Sequence, residues 1–210
     1  MQSLSSGEPF AQSTSHYEDW MLKMTTCEMN ILTSQEFNCA IDQFKDFLLD
    51  NLQSTVRFKV VVAEVKQVNE ERYMFASSTI GQDDTRLEFT ISYDKFYQVP
   101  IFSFRFYIND KLDFNIDELD QSLKESSNLV LNRLVDLSII DHHLLHQPWF
   151  QIHPCETLNT LNTHVQSQRT ITSGQNYNYK YSISYLSCWF GLYALPEIFP
   201  QFSIRPVIYS

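Results

Sequence analysis

The residues of this chain best suited to covalent chemistry fall in one short stretch, His153-Pro154-Cys155-Glu156-Thr157. An apolar, aromatic run from Trp149 to Ile152 precedes it and reads as the end of a buried strand. Pro154 has no N–H to donate, so it ends the ladder and pushes His153 towards extended geometry. Cys155 is therefore expected at a strand edge just past a fixed bend, where a thiol can meet a partner. As thiolate, cysteine is a strong nucleophile and afterwards a good leaving group, which suits acyl transfer in both half-reactions. The competing reading of any lone cysteine is a small buried hydrophobe. His153 is the nearest base by sequence, but it is expected to play a structural role, its imidazole bonded to nearby backbone. His142, His143 and His164 are further bases by type.

The other three cysteines, Cys27, Cys39 and Cys188, lie far apart, with no Cys-x-x-Cys or Cys/His ligand spacing. A metal site is therefore not expected. His142-His143 and His146 read as a polar loop. The formal net charge is −10 and no basic stripe is visible, which argues against a nucleic-acid partner. The longest apolar run, Leu186 to Leu195, is interrupted by Ser187 and Gly191 and is too short for a membrane span. No signal-peptide pattern opens the chain. These features predict a cytoplasmic protein with reduced thiols.

The elements that must position Cys155 are legible in order. Residues 1–30 are polar and predict a disordered or appended segment, apart from a short apolar face of Tyr17, Trp20, Met21 and Met24. Residues 31–210 are expected to form one folded domain, the catalytic one if Cys155 is a nucleophile. Thr33-Ser34-Gln35-Glu36 is a capping box opening a helix to about Asn51, with Phe37, Ala40, Ile41, Phe44, Phe47 and Leu48 at helical spacing. The period then becomes two: Val56–Val62, Tyr73–Ile80, Leu87–Tyr93 and Phe102–Ile108 predict four strands joined by short turns, an antiparallel meander. Val99-Pro100 marks a corner. A short helix follows Asp113. Leu129–Ile140 is apolar without a clear period. A last helix runs from about Tyr181 to Ala194, stopped by Pro196. The order predicts an α+β domain, one sheet with helices packed on one side.

His153-Pro154-Cys155 with its lead-in Pro148-Trp149-Phe150-Gln151-Ile152, and upstream Tyr97-Gln98-Val99-Pro100, resembles the autophagy ubiquitin-conjugating-like enzyme family of the His-Pro-Cys type. Tyr185-Leu186-Ser187-Cys188-Trp189 is similar to that family's closing helix. The resemblance runs as ordered landmarks from about Thr33 to Pro196. It implies the ubiquitin-conjugating-enzyme-like fold, with an antiparallel four-stranded sheet and flanking helices. It implies that Cys155 accepts a ubiquitin-like modifier as a thioester from an activating enzyme, then passes it to a lysine of an acceptor protein. No metal or organic cofactor is implied.

Two kinds of enzyme share the motif. One carries a long acidic insertion and modifies a lipid head group. Nothing of that kind interrupts Thr55 to Cys155, so the resemblance is to the protein-conjugating kind. The partners it implies are autophagy protein twelve as modifier, autophagy protein seven as activating enzyme and autophagy protein five as acceptor, with no separate ligase. In ordinary ubiquitin-conjugating enzymes an asparagine after His-Pro supports the tetrahedral intermediate, and here Cys155 occupies that slot. Oxyanion support must then come from another group. Asn132, Asn128 and Tyr93 are candidates by type, with Tyr97 beside them. A sheet edge at Thr55–Val65 or Tyr73–Ile80, around Val61 and Phe75, is the candidate acceptor dock. Two other classes remain open at this stage: a cysteine hydrolase acting on the modifier, and a non-catalytic module that binds through its sheet edge.

Overall fold

The structure, a computed structural model, describes residues 32–81, 85–154, 157 and 177–205. Residues 1–31, with the Trp20 face, and Cys155, Glu156, Leu158, Leu161 and His164 lie outside the described residues. The first helix, α1 (Ser34–Asn51), starts as its capping box requires. The Thr33 hydroxyl accepts from the Glu36 N–H at 3.2 Å, and the Glu36 carboxylate accepts from the Thr33 N–H at 2.8 Å. Phe37, Ala40, Ile41, Phe44 and Leu48 are all buried, so the helical periodicity corresponds to a packed face.

The meander follows as β2 (Phe58–Val68), β3 (Glu71–Ile80), β4 (Thr85–Asp94) and β5 (Val99–Ile108), preceded by a short β1 (Leu52–Ser54). After β5 come β6 (Lys111–Asp113), α2 (Ile116–Ser127), β7 (Leu137–Asp141), β8 (Pro148–Ile152), α3 (Tyr177–Tyr193), α4 (Leu195–Ile198) and β9 (Phe202–Ile204). The sheet is larger than the expected four strands. Among the described residues it has seven, ordered β2-β3-β4-β5-β8-β7, with β6 paired to β5. The ambiguous stretch ending at Ile140 resolves into β7, which forms a hairpin with β8 beside β5. Pro148 is tolerated because it opens its strand. Pro196 does not simply stop the last helix. It sits in the first turn of α4, where its missing N–H costs nothing. β9 returns to pair with β1 as a separate two-stranded ladder.

The register separates two faces. Ala63, Ala76, Phe89, Phe104, Phe150 and Ile139 align across all six strands of the main path. This row belongs to the inner face, whose Phe104 stacks edge-on against Phe199 and whose Phe102 meets Phe190 of α3. The neighbouring row, Glu64, Phe75, Thr90, Ser103, Gln151 and Ser138, lies on the opposite face. Helices α1, α3 and α4 thus cover one side, as an α+β domain requires.

One expectation about the sheet edge is corrected. β3, with Phe75, is an interior strand, paired to β2 through Glu64 and to β4 through Thr90. Phe75 offers no free backbone edge. Val61 does lie on an edge strand. The ladder skips it between Val60 and Val62, so it is the extra residue of a β-bulge, and it is 59% exposed. The bulge also explains why Val60, Val61 and Val62 break strict alternation in the sequence.

Candidate active site

β8 delivers His153 and Pro154 at the end of the sheet, next to the turn between β4 and β5. That turn is built by Asp94. Its carboxylate accepts from the Phe96 N–H at 2.7 Å and the Tyr97 N–H at 2.9 Å, and Gln98 closes the turn in the left-handed region at φ 56°. The half-buried Tyr97 then lies against His153. Its hydroxyl is 3.4 Å from Nε2, and the two rings meet nearly edge-on with centroids 5.4 Å apart. His153 is exposed and Pro154 is buried. Pro154 lines a narrow crevice with Pro100, Ile152, Thr157, Trp189 and Tyr193. The prolines of the two sequence motifs therefore share one crevice, walled by the C-terminal half of α3. Cys155 itself lies outside the described residues, immediately after this seat.

The other candidates each have a backbone task. Asn132 donates from its side-chain amide to the Glu197 carbonyl at 3.1 Å and accepts from the Leu134 N–H at 3.2 Å, which ties the β7 approach to α4. Asn128 is exposed and terminates α2 in the left-handed conformation at φ 55°. Tyr93 is buried on the inner face and donates to the Leu32 carbonyl at 2.6 Å. Burial, aided by the nearby carboxylates of Glu36 and Asp94, pushes its phenol up to about 12. Of the tyrosines considered, Tyr97 is the one beside the motif. Nothing in residue type distinguished it; its place inside Tyr97-Gln98-Val99-Pro100 was the available signal. By register Val61 lies towards the other end of the sheet, at the bulge opposite Ser77 and Ser78, whereas Phe75 is level with Gln151 but three strands away from it.

His142 departs from the expected polar loop. It is 1% exposed, on the sheet's outer side, against Tyr73 and Trp149. Its Nδ1 accepts from the Leu144 N–H at 3.1 Å, so the neutral ring carries its proton on Nε2, which donates to the Thr90 hydroxyl at 2.9 Å. Burial, and then the neighbouring His143, Arg105 and His146, lower its pKa to about 4. No group of three or more His, Cys, Asp and Glu suited to a metal ion occurs among the described residues. Cys39 is exposed on α1, while Cys188 is half-buried in α3, where burial pushes its thiol up.

The sequence profile of the family described as "Autophagocytosis associated protein, active-site domain" matches residues 12–202. The chain belongs to this family. It is 40% identical over 183 residues to "Ubiquitin-like-conjugating enzyme ATG10" of Candida albicans, covering 85% of this chain and 94% of that protein. A second ATG10, from Pichia angusta, is 27% identical over 90 residues, 38% of this chain and 60% of that one. The solution structures of KmAtg10 superpose loosely, with a TM-score of 0.43 at 20% identity over 78% of this chain and 97% of theirs. The crystal structure of the autophagic Atg10 gives a TM-score of 0.42 at 14% identity over 78% and 94%. The chain is thus an ATG10-like member of the autophagy conjugating enzymes. No helix among its described residues is long and apolar enough to cross a membrane.

Proposed function

We propose that this chain takes a ubiquitin-like modifier from its activating enzyme onto Cys155 and transfers it to a lysine of an acceptor protein, in the cytoplasm. The observation that carries this reading is the convergence of the two motifs at one end of the sheet. Tyr97 touches His153, and Pro100 shares a crevice with Pro154, in a chain belonging to the autophagy active-site family. In the first half-reaction the Cys155 thiolate attacks the carbonyl of the modifier's thioester on the activating enzyme. A new C–S bond forms as the old one breaks, and the released sulfur leaves as thiolate. In the second, a neutral lysine amine attacks the Cys155 thioester. The C–N bond forms, the C–S electron pair returns to Cys155, and the amine nitrogen gives up a proton. The partners the reading adopts are autophagy protein twelve as modifier, autophagy protein seven as activating enzyme and autophagy protein five as acceptor. Mixing the chain with these proteins and ATP tests it: a thiol-sensitive adduct followed by a stable conjugate supports it, whereas modifier cleavage or mere co-binding does not.

Because Cys155 stands where ordinary conjugating enzymes place an asparagine, the tetrahedral oxyanion needs another donor. The Tyr97 hydroxyl is the candidate group at the right end of the sheet. Tyr97→Phe is expected to keep thioester formation and to slow discharge to the acceptor roughly ten- to a hundredfold, less than a fully buried oxyanion donor because Tyr97 is half solvated. Single-turnover discharge of preformed thioester reads this directly. An unchanged discharge rate would remove Tyr97 from the reaction.

The acceptor also has to dock, and the outer edge of β2, which pairs no further strand among the described residues, suits a backbone-pairing strand. Val61→Pro, at a bulge position with no ladder partner, is expected to leave folding and thioester formation nearly intact and to weaken transfer. Phe75→Pro instead breaks pairing on both sides of β3 and is expected to cost on the order of 3 kcal/mol of stability, taking both half-reactions with it. Equal loss in the two variants would move the dock away from β2.

A further inference from the structure

Phe96 is 85% exposed, next to the most chemically loaded corner of the molecule. It is not a loose side chain on a loose turn. Asp94 holds its N–H, and its ring packs edge-on against Tyr97 at 5.0 Å, which in turn meets His153 at 5.4 Å. Phe96, Tyr97 and His153 therefore form a row of three rings, and Cys155 follows His153 by two residues in the chain, a tether of at most about 7 Å between α-carbons.

Elsewhere on the outer face of the sheet, three rings carry the chain's own cations. Lys66 sits 4.5 Å from the centre of Phe75, Arg86 4.1 Å from Tyr107, and Arg105 4.3 Å from Trp149. Among the described residues no lysine or arginine covers Phe96. The adjacent Lys95 is drawn off to Glu71 at 2.8 Å. Among the described residues the face of the ring is open, with the Asp94 carboxylate holding the backbone N–H at its base. A ring in that state attracts an ammonium from outside.

We propose that Phe96 is a recognition residue for the incoming lysine. Its face attracts the acceptor's ε-ammonium, and its flank packs the four-carbon stem as the amine moves past Tyr97 to the thioester. This rests on Cys155 carrying the modifier. The amine must shed its proton before attack. The aromatic row strips part of its water while leaving that proton free to pass to solvent, so Phe96 binds and orients and does not itself exchange a proton.

The test uses the full chain charged with modifier by its activating enzyme and ATP, then chased with either free lysine or hydroxylamine. Both amines cleave the same thioester, but hydroxylamine is neutral near pH 7 and has no stem. Phe96→Ala is expected to charge normally, to lose about two- to fivefold in discharge to lysine, seen as a higher half-saturating lysine concentration, and to keep its rate with hydroxylamine. Phe96→Trp is expected to restore or exceed the lysine rate, and Phe96→Leu to restore it only in part. Equal loss with both amines would assign the ring to ordering the site. Loss of charging would assign it to the modifier or activating enzyme, and no change would leave it without a role; each overturns the proposal. A wild-type chain that never acquires the thiol-sensitive adduct would instead overturn the Cys155 reading beneath it.

Discussion

Cys155→Ser is expected to trap the modifier as an adduct that survives thiol reductant, and to stop its transfer to the acceptor. The serine oxygen forms an ester once the activating enzyme presents the modifier. Alkoxide is a much poorer leaving group than thiolate, so the second half-reaction stalls. Cys155→Ala should form no adduct at all, and conjugate yield should fall roughly a thousandfold or more, the usual scale for losing a nucleophile. Replacing Cys39, exposed on α1, or Cys188, whose thiol is held up by burial, should leave the adduct intact, as should replacing Cys27. Reducing and non-reducing gels of the same reaction separate these outcomes. Conjugate formed by Cys155→Ala at a rate near that of the unaltered chain would end the assignment. Cleavage of modifier precursors by the unaltered chain would point to hydrolysis.

The parts of the fold that were legible in the sequence are those that local rules specify. The capping box at Thr33 and Glu36 satisfies its own helix end, and the period-two runs of β3, β4 and β5 reflect one face pressed on helices. β7 and β9 escaped because their reason lies elsewhere in the chain. Leu137–Asp141 is an edge strand with three exposed residues, so its pattern carries no alternation, and Phe202–Ile204 becomes a strand only because Leu52–Ser54 is there to pair. The same distinction runs through the site. His153 and Tyr97 belong to motifs, and they meet because β5 pairs β8 through Ser103 and Gln151, a contact between residues 48 apart. Asn132, Asn128 and Tyr93 are oxyanion candidates by side-chain chemistry alone. Asn132 and Tyr93 use that chemistry on backbone carbonyls, and Asn128 ends a helix through its left-handed backbone, tasks that no spacing rule reveals.

His142 shows the same lesson with a consequence for stability. Three histidines near one turn read as a solvated loop, yet the β7–β8 hairpin folds His142 onto the outer face beside Thr90, Tyr73 and Trp149. Its environment is arranged for the neutral ring. Nδ1 already accepts the Leu144 N–H, so a second proton would set donor against donor, and His143 stacks on it with centroids 5.1 Å apart. Its pKa is lowered to about 4, whereas an unfolded chain holds histidine near 6.5. Between those values the unfolded state binds a proton that the native state refuses. Stability therefore falls as pH drops from about 6.5 towards 4, by up to about 3 kcal/mol from this residue, and is untouched by it above neutrality. His142→Gln is expected to lose about 1 kcal/mol at pH 7 through a poorer hydrogen-bond fit. Its stability should then decline less steeply than that of the unaltered chain, so the two curves cross near pH 6 and the variant is the more stable below it. Urea unfolding of both proteins at several pH values between 4.5 and 7.5 measures the difference directly. The carboxylates common to both cancel in the comparison. Parallel curves would mean that His142 takes up its proton in the native state as readily as in the unfolded one.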